Sequence, residues 1–142
     1  MKQQFRYFSF QCLLALFLIV NLAPVFGQDS QHQLQIKIME PKDKTDVVER
    51  PTIHGTVSDT QAKVWLIVHP LKGSTYWVQP AISVDAKGKW QAMPYIGSGV
   101  QGVGEQFEII AIANPKKELS EGDKLTAEPR ADVKHLITVT RR

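Results

Sequence analysis

The residues of this chain best suited by type to hold a metal are four histidines, His32, His54, His69 and His135. Compact sites space their ligands a few residues apart, yet no pair here forms H-x-x-x-H and no nearby cysteine completes a set. His54 and His69 fall on strands that could be neighbours, which makes them the one metal hypothesis; exposed strand histidines are the simpler reading, and no metal site is assigned. Gly97-Ser98-Gly99-Val100-Gln101-Gly102 matches G-x-G-x-x-G to the letter. That turn cradles phosphate only where it opens a helix whose N-terminus faces the pyrophosphate, and here it runs into another strand, so it reads as a loop. Nucleophilic chemistry has no footing either: there is no G-x-S-x-G elbow, and the single cysteine, Cys12, lies near the N-terminus. Asp and Glu are scattered through polar turns, where solvation accounts for them. The expectation is a protein that is not an enzyme and carries no cofactor.

The aromatic residues offer binding chemistry instead. Tyr76 and Trp77 are adjacent on a strand, so their side chains point to opposite faces and one is left for the surface. Trp90 and Tyr95 lie on or beside a later strand, and flat exposed rings stack on sugars or pack on protein partners. The candidate binding set is Tyr76, Trp77, Gln79 and Trp90, with Gln79 available to hydrogen-bond a ligand. The competing reading makes Trp65, Trp77 and Trp90 core plugs, because small sandwiches need bulky fillers.

Strands must position these residues. Leu34-Gln35-Ile36-Lys37-Ile38 alternates apolar and polar with period two, and Thr52 to Val57 turns Ile53 and Val57 inward. Val64-Trp65-Leu66-Ile67-Val68 is an unbroken apolar run that needs cover on both faces, and Pro70 is expected to end it. Thr75 to Gln79 follows, then Ile82 and Val84, then a tight turn at Asp85-Ala86-Lys87-Gly88-Lys89 with Trp90 to Met93 as the return strand. Gln106 to Ala113 is the strongest strand, with Phe107, Ile109 and Ala111 on one face and Ile110 and Ile112 on the other. A polar stretch from Asn114 to Asp132 follows, in which Leu119 and Leu125 are the residues to pin a loop or short helix to the body. Val133 to Arg141 closes the chain. This makes about seven to nine short strands and no long amphipathic helix, the pattern of a two-sheet sandwich.

The N-terminus supplies an address. Lys2 and Arg6 precede an apolar run from Tyr7 to Val20, and Val25-Phe26-Gly27 suits a cleavage site. Residues 1–27 therefore read as a signal peptide, 28–33 as a flexible lead-in and 34–142 as the folded domain. The alternative is an uncleaved anchor, since Tyr7 to Phe26 matches the ~20 residues that span a bilayer; Ser9, Gln11, Asn21 and Pro24 argue for cleavage. Either way the domain is exported, periplasmic or extracellular. The chain carries Lys+Arg 17 against Asp+Glu 14, and cleavage removes two bases and no acid. The near-neutral balance left behind excludes a nucleic-acid binder, which needs concentrated basic surface. A mature domain without cysteine suits a bacterial envelope better than a disulfide-dense secreted module.

Gly55-Thr56, Trp65 with Val68-x-Pro70, Tyr76-Trp77-x-Gln79, Asp85-x-x-Gly88-x-Trp90 and Phe107-Glu108-Ile109 together resemble the bacterial immunoglobulin-like or fibronectin-III-like domains of exported proteins. The resemblance covers about Pro51 to Arg141 and lacks the paired core cysteines of antibody-type domains, leaving Trp65 to fill the middle of the core. It implies an all-β, Ig-like sandwich and bears only weakly on function. The expected role is a non-catalytic recognition or adaptor module of the cell envelope, meeting a protein partner through an exposed edge strand or the glycine-rich loop. The alternative is a carbohydrate-binding domain that uses the same aromatics on a glycan.

Overall fold

The computed structural model describes residues 33–142. Residues 1–27, read from the sequence as a signal peptide or an anchor, with Cys12, and the lead-in up to His32 lie outside the described residues. In chain order the strands are β1 (Ile36–Glu40), β2 (Thr45–Val47), β3 (Ile53–Val57), β4 (Val64–Pro70), β5 (Tyr76–Val78), β6 (Lys89–Ala92), β7 (Gln106–Pro115), β8 (Lys124–Leu125) and β9 (Ala131–Arg141). They form two sheets, ordered β1-β3-β6 and β2-β9-β7-β4-β5-β8. The described residues are therefore all-β, in an arrangement compatible with a β-sandwich.

Alternation builds the layer between the sheets. Ile36, Ile38, Ile53 and Val57 are buried from the small sheet, while Val64, Leu66, Val68, Phe107, Ile109 and Val139 meet them from the large one. Each such side chain contributes about 1.5–3 kcal/mol when fully buried. Trp90 lies opposite Gly55 in the β3–β6 register and fills the space that a side chain at residue 55 would occupy. It is the tryptophan of this core. Trp65, expected in that place, points to the other face of β4 and is only half-buried.

The outer face of the large sheet carries a second cluster. Ile67, Val78, Ile110 and Ile112 pack there under Leu119, with Trp65, Tyr76 and Leu125 around them. The polar stretch after β7 folds back over these residues, held where Val78 N donates to Asp123 O at 3.0 Å and Gly122 N donates to Val78 O at 2.9 Å. Both faces of β4 and β7 are thus covered, which is why their apolar runs do not alternate with polar residues.

One local expectation is corrected. Ile82 to Val84 is not a hairpin strand: only Val84 bridges Trp90, and β6 takes β3 as its ladder partner, because the chain from Pro80 is crossing between sheets. Pro70 is the last residue of β4, as expected; it still pairs with Phe107, and Leu71 N supplies the donor that proline lacks by bonding Gln106 O at 3.0 Å. Val47 is buried on β2, an edge strand of the large sheet that runs parallel to β9, while Val48 stays exposed.

Candidate functional site

The large sheet is six strands wide and the small one three, with β1 packed across β9 and β7 and with β5 and β8 at the far edge of the large sheet. On β5, Tyr76 and Val78 face the outer cluster, so Trp77 turns to the inner side, in line with Val68 of β4. There it remains 38% exposed and forms one side of a groove of about 630 Å³. Tyr95 belongs to the same groove. Pro94 and Ile96 are buried on either side of it, which forces the tyrosine ring outward to 50% exposure. Val68, Pro70 and Phe107 supply apolar lining, and Gly97 to Gly102 forms a rim.

Each ring is held by a cation. The Arg50 guanidinium lies 4.0 Å from the Tyr95 ring centre, and Lys124 Nζ lies 4.8 Å from that of Trp77. Neither cation lines the groove. Such contacts stabilise by about 0.5–1 kcal/mol at exposed sites and restrict ring motion.

Gln79 also lines the groove, with both polar atoms of its side chain already bonded within the protein. It is buried, its Nε2 donates to Trp77 O at 3.2 Å, and its Oε1 accepts from Tyr95 N at 2.8 Å. The side chain therefore ties together the two segments that carry the groove's rings. Trp90, also expected at the binding surface, is 3% exposed and belongs to the core; its Nε1 has no hydrogen-bond partner among the described residues. Tyr76 is half-buried on the opposite face of the sheet, stacked on His69 with ring centres 4.0 Å apart and planes within 5°. Of the four residues, Trp77 alone presents a free ring to the groove.

The glycine-rich segment opens no helix. Gly97, Gly99 and Gly102 all take positive φ, and Ser98 bridges Gln101 in a tight turn that β7 follows. Arg141 anchors it from below. The guanidinium is largely buried and donates to Ile96 O at 3.0 Å, to Gly99 O at 3.2 Å and to Glu49 Oε2 at 3.2 Å. One positive charge at the end of β9 thus gathers the loop, the Tyr95 segment and the β2–β3 connection.

Glu49, Glu105 and Glu121 also line the groove, and no basic residue does. Glu105 pairs with exposed Lys72 at 3.6 Å, and Glu121 has no ion-pair partner among the described residues. Elsewhere, backbone N–H bonds from Lys89 and Lys87 hold the Asp85 carboxyl below its usual value, fixing the turn that leads into Trp90. The histidine pair is not assembled. His54 is exposed on β3 of the small sheet, and His69 is on β4 of the large sheet, facing the outer cluster. Among the described residues no three His, Cys, Asp or Glu side chains come close enough together to hold a metal ion. His135 Nδ1 instead accepts from Ile38 N at 3.3 Å, joining the sheets beside a shallow opening of about 470 Å³.

Sequence reasoning noticed Tyr95 but did not join it to Trp77, and it missed Glu49, Glu105, Glu121 and Arg141. No spacing rule connects residues brought together from separate loops. In comparisons with known proteins, the chain matches no family model, no curated protein and no solved structure.

Proposed function

We propose that the chain is an exported, Ig-like or fibronectin-III-like sandwich that acts without catalysis as a recognition or adaptor module of the bacterial cell envelope. It binds a protein partner at the groove between Trp77 and Tyr95. Support for the fold reading comes from the sheet order, with β1-β3-β6 in one layer and β9-β7-β4-β5 in the other, together with the parallel pairing of β2 on β9. The export reading rests on the basic, apolar and small-residue pattern of residues 1–27.

The observation that carries the binding site is the placement of exposed apolar side chains. Nine large ones are exposed among the described residues, and six of them line the groove or adjoin a lining residue in the chain: Val48, Leu71, Trp77, Tyr95, Val100 and Val103. Val100 is 88% exposed at the tip of the glycine-rich turn. Exposed aromatic rings lining a groove, with further exposed apolar residues next to lining positions in the chain and polar groups interspersed, suit a protein-binding patch.

Site-specific photo-crosslinking in cells producing the full chain tests this reading. A crosslinker in place of Val100 is expected to trap a second protein, and the adduct should disappear with Trp77→Ala. The same crosslinker at Lys117, an exposed residue beyond the opposite end of β7, should trap none. Equal trapping at both positions, or an adduct indifferent to Trp77→Ala, rejects the groove as the binding surface. Trp77-dependent binding of a neutral oligosaccharide in place of a protein would turn the assignment to a carbohydrate-binding domain.

A further inference from the structure

We infer that the groove selects an extended polypeptide segment bearing basic side chains. This rests on the reading of the groove as a recognition surface and adds the chemistry of what enters it. Three carboxylates line the cavity, and the cations closest to its rings, Arg50 and Lys124, do not. The charged groups of the lining are therefore all carboxylates, two of them paired by Arg141 and Lys72 from beyond it.

The three carboxylates are differently committed. Glu49 is held by Arg141, whose guanidinium is spent on Glu49 and on backbone carbonyls. The side chain of Glu105 is 37% exposed and paired with an exposed lysine at 3.6 Å, an arrangement that an incoming guanidinium can replace. Glu121 is exposed and unpaired among the described ion pairs. Two carboxylates are thus open to an incoming cation, beside two aromatic rings suited to the alkyl stem and planar head of arginine.

Size and rim chemistry point to a polypeptide. A cavity of about 630 Å³ accepts a short stretch of chain, and Val100 and Val103 continue the apolar surface past its edge, beyond the reach of a free small cation.

The test is fluorescence anisotropy with the full chain and a capped, dye-labelled peptide of alternating arginine and serine. Two matched probes carry citrulline or glutamate in place of arginine, and a chitin oligosaccharide serves as the neutral glycan. The arginine peptide is expected to bind, to bind more weakly as salt is raised, and to be favoured about tenfold over the citrulline peptide, since two partly exposed ion pairs together give roughly that factor. The Glu105→Gln/Glu121→Gln double variant should lose about the same factor, with an unchanged melting temperature showing that the fold is intact. Failure of the arginine peptide to bind, equal affinity for the citrulline or glutamate peptide, or tighter binding of the oligosaccharide each overturns the inference. A Trp77-dependent crosslink at Val100 without arginine preference removes the charge selectivity and leaves the recognition surface standing. Loss of that crosslink removes the recognition surface itself.

Discussion

Replacing Gly55 with alanine places a methyl group where the structure has no room for one. The new Cβ would overlap Cζ2 and Cε2 of Trp90 and lie 2.5 Å from the Lys37 carbonyl oxygen. Trp90 is 3% exposed, so its ring has nowhere to go without displacing the layer between the sheets. Overpacking of this kind costs about 1–3 kcal/mol and more where backbone is also struck, which puts Gly55→Ala at about 3–4 kcal/mol. Trp90→Leu, which leaves a cavity, is expected to cost about 3 kcal/mol alone. The two losses should not add, because the smaller side chain vacates the space the methyl group needs. The double variant is expected to fall short of the sum by about 2 kcal/mol, with some strain kept at Lys37 O. Urea unfolding followed by far-ultraviolet circular dichroism measures all four proteins without relying on tryptophan emission. A Gly55→Ala cost below about 1 kcal/mol, or strict additivity, would mean that the ring does not lie over Gly55. The small-sheet register would then be wrong, along with the separation of Trp90 inside from Trp77 outside.

Trp77→Ala is expected to change stability by under about 1 kcal/mol, against about 3–5 kcal/mol for Trp90→Ala, and matched urea titrations distinguish the two. Arg141→Met should cost about 2–4 kcal/mol, since it frees Ile96 O, Gly99 O and Glu49 together, and amide hydrogen exchange should rise between residues 97 and 104. Asp85 contributes stability fully above its ordinary value of 3.8, because its folded-state affinity for protons is lowered by the Lys89 and then the Lys87 backbone bonds; the contribution is lost as pH falls through the lowered value. Asp85→Asn should therefore flatten the acid limb of a melting-temperature profile and leave its neutral region parallel to that of the parent.

Much of the fold is legible in local spacing. The unbroken run Val64 to Val68 and the two-faced pattern of Phe107 to Ile112 announce strands covered on both sides, because side chains alternate across a strand whatever its partners are. Asp85 and Gly88 announce a turn through short-range hydrogen bonds and a positive φ that need no distant help. Leu119 and Leu125 likewise stand out as the leucines of a polar stretch, and both join the outer cluster.

Which aromatic ring faces solvent is a different kind of question. Trp77 and Trp90 both sit on short strands, and nothing beside either residue distinguishes them. The outcome depends on sheet width: Trp90 falls between the layers over Gly55, whereas Trp77 stands on β5 near the far edge of the wider sheet. Gln79 is spent on holding Trp77 and Tyr95 together for the same reason, and three carboxylates from three separate segments meet in one groove. Alternation is a property of consecutive residues, so a sequence carries it openly; the overhang of one sheet beyond another arises from pairings across the whole domain, and those form only when the chain folds.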